Sequence, residues 1–378
     1  MAKMTNQKSM RVNYIAPNDL QSLESHLTKI GIGNDIKSLL FLMAFEERYS
    51  EKILIPLLQR TTKPIIGGVF PELIFMGERK KSGVLLLPLP FELNTQLFDL
   101  SETPEDFLKQ LESGQKDSLN PLSTLFVFID ALSSNKESFI ESLFNFFGIN
   151  PTYIGGGTGS LKFEPFSCII TNTGMYVNAA VVGWVNKKIA LGVAHGWHSV
   201  SAPLKVTKAN KNQLLSINWK PAFEVYKEIV EAHSGMKFTA YNFFNIAKSY
   251  PLGISKIDAE MVVRDPFAVI DNVLHMVDNI NEGEYVEILH GNLDSLLAGA
   301  SKAREIASLK IEDGMDINSV FCIDCISRVL FMENDFIKEL EAIGHNANVN
   351  GILTIGEIAN SGESFLEIYN KTIVIGLW

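Results

Sequence analysis

The chain has 378 residues, 46% of them apolar, a formal net charge of −10 and three cysteines; that length exceeds one ordinary core and predicts two domains. Lys and Arg are scattered through an acidic chain, which argues against nucleic acid or an anionic membrane as partner, and three cysteines cannot build a disulfide framework, so a reducing, cytoplasmic setting is expected. Residues 1–11 are polar and no apolar run is long enough to cross a bilayer, so neither a secreted nor a membrane-spanning protein is expected.

Asn18-Asp19 is placed to cap a helix whose apolar face carries Leu20, Leu23, Leu27 and Ile30 and which Gly31 and Gly33 close. Residues 38–44 (Ser-Leu-Leu-Phe-Leu-Met-Ala) form a short continuous apolar run, the pattern of a strand buried on both faces. A helix with Tyr49, Ile53, Leu54 and Leu57 follows, and Lys63-Pro-Ile-Ile-Gly-Gly68 breaks it. A hairpin is predicted between 72–76 and 83–88, with Gly77 and the charged residues 78–81 at its turn.

The order then recurs: helix 104–111, strand 123–130, helix 137–147, Asn-Pro-Thr-Tyr-Ile-Gly-Gly (150–156), and a hairpin of 166–171 with 175–185 around Asn172-Thr-Gly174. A third copy is predicted at the end, with helix 293–309, strand 319–324, helix 335–343, strand 350–357 and a final strand 365–377; Ile355-Gly-Glu357 is set in the place of Ile154-Gly-Gly156. A degenerate fourth copy is sought between Trp219 and Gly291, with Pro251-Leu-Gly253 at its glycine position. Between copies two and three, 188–194, 205–208 and 214–218 read as strands and 221–232 as a helix. Such long copies suit sub-domains of an α/β fold, not a solenoid. The expected fold is therefore α/β: two packed domains, 1–218 and 219–378, with mixed sheets flanked by helices and built from repeated β-α-β-β units. No low-complexity linker separates them.

Tyr153-Ile-Gly-Gly-Gly-Thr-Gly, His195-Gly-Trp197 and Val206-Thr-Lys208 resemble the N-terminal half of the FIST proteins (F-box and intracellular signal transduction). Tyr250-Pro-Leu-Gly253, Val263-Arg-Asp-Pro266, Cys325-Ile-Ser-Arg328 and Gly356-Glu357 resemble the C-terminal half, in the expected order and over nearly the whole chain from about residue 20. The resemblance implies a sensory module of signalling chains that binds a small ligand, possibly an amino acid. With no room here for a kinase, cyclase, response-regulator or F-box domain, output is expected through a separate signalling protein.

The candidate ligand-binding residues are Gly155, Gly156, Gly157, Thr158, His195, Trp197, Arg264, Cys325, Arg328 and Glu357, in a pocket expected between the two halves. The bare amides of 155–159 suit either a carboxylate or phosphate or a tight turn between sheets, and no nucleotide-loop pattern is present. His195 and His198 form His-x-x-His, but residues three apart on a strand face opposite ways, so no metal is expected. Cys322-x-x-Cys325 lacks a second pair for zinc; Cys325 is either a nucleophile at a strand end or a small core residue. Arg264-Asp265 before Pro266 reads as an internal ion pair fixing a turn or as a ligand contact. Arg328 suits either a ligand carboxylate or an internal acid, and Glu357 either a ligand ammonium or a structural hydrogen bond; together the two could grip the two charges of an amino acid. No catalytic set, cofactor or metal is expected. The competing readings are a hydrolase or thiol-dependent enzyme using Cys325 and His195, and a ligand-free interaction scaffold.

Overall fold

The computed structural model describes residues 12–47, 49–114, 123–256, 260–312, 315, 319–344, 348–360 and 365–378. It is a mixed α/β architecture of four sheets flanked by helices. Among the described residues, parallel pairing occurs in three places: Ser38–Ala44 with Ile65–Phe70, Thr124–Asp130 with Thr152–Thr158, and Ser319–Cys325 with Asn348–Thr354. All six strands are apolar runs buried on both faces, apart from residues at their ends.

Each parallel pair is the centre of a six-stranded sheet built on one plan. An edge strand (Asn13–Ile15, Asn94–Asp99 or Ala190–Ala194) lies beside a strand that returns at the end of the unit (Val84–Leu89, Ala179–Val185 or Ile373–Leu377), then come the two parallel strands. The other side is covered by a hairpin that belongs to a different unit. Glu72–Phe75 with Glu78–Lys80, from the first unit, lies on the third sheet; Ile169–Thr171 with Met175–Tyr176, from the second, lies on the first; Glu357–Asn360 with Leu366–Tyr369, from the third, lies on the second. The exchange closes in a ring.

Four expectations change for this reason. Residues 72–75 do not pair with 83–88: the first packs on the third sheet and pairs with Glu78–Lys80, while Val84–Leu89 returns to the first sheet. The strand expected over 175–185 is interrupted at Asn178 (φ 49), and its longer part joins the second sheet. The strand expected over 350–357 ends at Thr354, and Gly356 (φ 92) turns the chain into the second sheet. The final strand is divided by Asn370, Lys371 and Thr372 between the second and third sheets. Alternation and apolar runs report burial, not which sheet a strand joins.

The recurrent glycine has one steric cause. A methyl group at Gly67, Gly155 or Gly351 would stand 1.9, 1.7 or 1.7 Å from the carbonyl oxygen of its register partner Phe41, Val127 or Cys322. The counterpart of Gly155 in the third unit is thus Gly351, and not Gly356 as the sequence pattern suggested. The three sheets share an apolar core in which Phe70 meets Phe128 edge-on and Trp378 meets Phe126 and Phe321. Helices cover the outer faces: Asp19 caps Leu20–Ile32 through the Ser22 amide, and Leu293–Leu309 starts in a capping box of Asn292 and Ser295.

The described strands between 198 and 290 pair antiparallel and form the fourth sheet, between the edge strand and the first helix of the third unit. They are not a fourth copy. Strands Leu204–Asn210 and Gln213–Ile217 pair there with Tyr285–His290 and Val273–Met276, so one sheet contains strands from both sides of residue 218. Among the described residues no helix is long and apolar enough to cross a membrane.

Gly155→Ala is expected to lower the unfolding free energy by about 3 kcal/mol, because the added methyl must displace the neighbouring backbone of a closed sheet. Urea denaturation measures this, and an unchanged midpoint would contradict the steric role.

Candidate functional site

The short segment Asn370, Lys371 and Thr372, where the chain passes from the second sheet to the third, gathers most of the candidate side chains. Lys371 has a left-handed backbone (φ 53) and is 1% exposed. Its ammonium donates to Asp265 Oδ2 at 3.0 Å and to the Lys248 carbonyl at 3.1 Å, and lies 5.2 Å from the centre of the Trp197 ring. Its carbonyl accepts from Trp197 Nε1 at 3.2 Å and from Arg328 at 3.0 Å. Trp197 and His195 come from the chain before the fourth sheet; Arg328 and Lys371 come from the chain after it.

Arg328 is fully buried and all five of its N–H donors are used. They go to Glu339 from Nε and again from one terminal nitrogen, and to the carbonyls of His195 (2.6 Å), Lys371 and Leu296 (3.1 Å). Asp324 Oδ1 lies 3.5 Å away. Burial works against the guanidinium charge, but Glu339 and Asp324 outweigh it and hold the group charged. Burial pushes both carboxyls up, with Arg328 pulling the other way.

His195 Nδ1 accepts from the Trp197 amide at 2.9 Å, which puts the ring proton on Nε2, 3.3 Å from Glu260 Oε1. Burial lowers its pKa to about 4, so the ring is neutral at neutral pH. Glu357 is wholly buried; Thr354 Oγ1 donates to it at 2.8 Å and the Thr372 amide at 3.3 Å, and burial raises its pKa to about 8. Cys325 ends its strand and precedes helix Ile326–Met332, yet is 3% exposed, and burial pushes its thiol up. A nucleophilic cysteine needs the opposite shift.

The clamp expected from Arg328 and Glu357 is therefore not formed. Arg328 has no donor left for a ligand carboxylate, and both Glu357 oxygens accept from the protein. The expected Arg264–Asp265 pair is also replaced. Arg264 donates to the carbonyls of Asn279, Val263 and Ile368, while Asp265 pairs with Lys371. Gly155, Gly156 and Gly157 lie inside the central strand of the second sheet with Ile358, Glu357 and the Gly356 carbonyl as backbone partners, so their amides are not bare. Thr158, at the end of that strand, donates to the Ile129 carbonyl and contacts Cys168. Gly156 adjoins the cluster through its register partner Glu357; Gly155 and Thr158 stand apart from it.

A further ion pair and two charged hydrogen bonds sew the segment of the fourth sheet to the rest. Asp278 meets Lys136 at 2.6 Å and also accepts from Asn370, and Asn279 donates to Glu137 on the same helix as Lys136. Burial pulls Asp278 up, but Lys136 and Arg264 outweigh it and hold the carboxyl below its usual range.

Residues 38–220 match the FIST N domain and residues 222–360 the FIST C domain. The chain belongs to the FIST family. FIST domains are sensory domains of signal transduction. No curated protein matches the chain. The two FIST halves meet within the fourth sheet, and the Lys371 cluster draws side chains from each.

An open groove of about 280 Å³ lies elsewhere on the FIST N half, lined by residues such as Ile32, Lys37, Lys63 and Glu92. Its Lys63 ammonium donates to the carbonyls of Gly33, which caps the first helix, and Ile36, in the loop after it, and none of the candidate residues lines it. The chemistry-bearing groups are at the seam, and the groove is a surface feature of a helix end.

Sequence reasoning missed Lys371, Glu339, Asp278 and Lys136. A lysine within an apolar terminal run was the available signal for Lys371; the other three carry no local mark.

Arg328→Lys is expected to cost about 3 kcal/mol, since three donors on a flexible stem cannot replace five in a planar fork and would leave buried acceptors unmet. Chemical denaturation checks it. Glu357 also sets a pH dependence. Its folded pKa is raised above the ordinary 4.5, so its stabilising proton is fully bound at low pH and its contribution is lost as pH rises from about 4.5 through about 8. Glu357→Gln should flatten that decline between pH 5 and 8 in thermal unfolding; an equally steep slope would contradict it.

Proposed function

We propose that this chain is a cytoplasmic sensory protein that binds a small molecule at the seam between its FIST halves and signals through a separate partner. One observation carries the location: a single buried polar cluster takes Trp197 and His195 from one half and Arg264, Asp265, Arg328 and Lys371 from the other. A ligand contacting that cluster changes the bonds that hold the halves together. Occupancy is thereby coupled to domain packing, and differential binding of the two packings is what a sensor requires. An amino acid is the ligand class this reading favours, because the cluster presents both signs of charge beside an indole.

The reading is supported by the family's sensory role and by the chemistry of the seam. A thiol enzyme on Cys325 is disfavoured by the same geometry, since that sulfur is buried and held protonated.

The test is thermal unfolding of the full chain against a panel of amino acids and small metabolites. A saturable rise in Tm with no product formed is expected for at least one compound; a ligand at one hundred times its Kd stabilises by about 2.7 kcal/mol. A flat response across the panel would defeat the proposal, and turnover of a compound would replace it with an enzymatic one.

A further inference from the structure

Trp219 differs from the other three tryptophans of the chain. It is 79% exposed, while Trp184, Trp197 and Trp378 are 9% exposed or less, and its ring makes no hydrogen bond or ring contact among the described residues. It stands in the two-residue turn Asn218-Trp219 between the paired residues Ile217 and Lys220, and both turn residues are left-handed, with φ 49 and 62. That geometry suits asparagine and glycine, and a bulky aromatic residue is strained in it. The equivalent turn between Ile270 and Val273 is made by Asp271 and Asn272, with φ 51 and 62. The Trp219 turn is pinned without the indole: Asn218 exchanges hydrogen bonds with the Lys205 backbone at 2.9 and 3.0 Å, and the Trp219 amide donates to Thr207 Oγ1 at 3.0 Å. The fold gains little from this side chain and exposes a large apolar surface by keeping it.

The charge around the turn is as unusual as its backbone. The chain has 43 acidic residues, yet none falls between Glu164 and Glu224, a run of 59 residues (223 − 164) that contains six lysines. Four of these, Lys205, Lys208, Lys211 and Lys220, belong to the strands and turns over 204–220, and none forms an ion pair among the described residues. Lys208, Lys211 and Lys220 are exposed and Lys205 is half-buried. Lys205 is also the register partner of Tyr285, 55% exposed, on a strand from the other FIST half. The acids on that side are engaged: Glu284 accepts from Asn281, and Glu287 accepts from Ser255. The patch thus combines an indole, a phenol and unpaired ammonium groups, and it draws residues from both halves across the sheet in which they meet.

We propose that the Trp219 turn, with Lys205, Lys208, Lys220 and Tyr285, is the docking surface for the signalling partner, and that it takes an extended acidic segment of that protein bearing an apolar side chain. The carboxylates meet the three ammonium groups, which lack ion-pair partners of their own, and the apolar side chain covers the Trp219 indole, as aromatic anchors are covered at protein interfaces. A polynucleotide fits less well, since a net charge of −10 repels a long polyanion beyond the patch and no arginine lies in the acid-free run. A second copy of the chain carries the same net charge and is repelled likewise. The assignment rests on the reading that the chain signals through a separate partner, and it places that contact where strands of the two halves pair, so a change in their packing alters the surface the partner meets.

The test is fluorescence anisotropy of a labelled peptide of Asp and Glu residues around one central leucine, titrated with the full chain, its Trp219→Gly variant and its Lys205→Glu/Lys220→Glu variant. Saturable binding that weakens with salt is expected for the unaltered chain, and each variant should bind about tenfold more weakly. The peptide with glycine in place of leucine should also bind more weakly, and the thermal midpoint of Trp219→Gly should hold or rise, because glycine relieves the turn. No binding to the unaltered chain, undiminished binding in either variant, or equal binding of the glycine peptide would overturn the assignment. A lowered midpoint in Trp219→Gly would show that the indole is kept for the fold, with the same consequence. Tighter binding of oligothymidylate than of the peptide would give the surface to nucleic acid instead, and a dimer in sedimentation that Trp219→Gly dissociates would give it to a second copy. None of these outcomes bears on a ligand-induced rise in Tm, so the docking surface and the ligand-sensing reading fail separately.

Discussion

A strand in the middle of a sheet must pair its backbone on both sides, and in this chain each unit leaves its second parallel strand with one side unpaired. The missing hairpin comes from another unit, so no sheet is complete until the chain has closed the ring from first to third, third to second and second to first. Unpaired amides and carbonyls in a buried position are expensive, which makes the exchange a condition of folding. The packing of the sheets follows from it. Each donated strand carries its chain directly from one sheet into the next, and inward-facing side chains, Phe70, Phe128 and Trp378 among them, fill the space the three sheets enclose.

The same crossings create the polar seam. After Tyr369 the chain leaves the second sheet and, past Asn370, Lys371 and Thr372, enters the third at Ile373, and Lys371 meets Trp197, Asp265 and the carbonyl of Lys248 within that passage. The fourth sheet is inserted at an edge of the third unit, so its charged turn at Asp265 and Asp278 is brought against the second and third sheets together. Arg328 then ties three carbonyls and a carboxylate into one node. With every donor occupied, Arg328 holds the packing around it in place.

Polar groups in the seam divide by how well they are satisfied. Glu357, held by Thr354 and Thr372, and Arg328, held by five hydrogen bonds to four acceptors, stiffen the structure. Asp265 Oδ1, both Asp324 oxygens and Glu339 Oε2 are buried without a hydrogen-bond partner among the described residues, and Lys371 holds a left-handed backbone. A sensor has use for both kinds, since a response needs a rigid frame and an element with two arrangements.

Local chemistry in the sequence determined most of the elements. The apolar runs at 38–44, 123–130 and 319–324, the Asp19 cap and the helix at 293–309 are legible because burial on two faces, capping and helical periodicity are short-range properties. The family resemblance at Gly155–Gly157, His195-Gly-Trp197 and Cys325-Ile-Ser-Arg328 is legible too, and it named residues of which several do converge. Tertiary structure alone decided the partners. Whether 72–75 pairs with 83–88 or crosses to another sheet depends on an edge supplied by residues about 280 positions away (352 − 73), which no local pattern encodes. Arg328 was open to a ligand carboxylate or an internal acid, because its partners, Glu339 and the carbonyls of His195, Leu296 and Lys371, are invisible in a one-dimensional reading. Lys371 passed unremarked within the final strand expected over 365–377, because its left-handed turn and its contact with Asp265 exist only once three sheets and an inserted fourth have met around it.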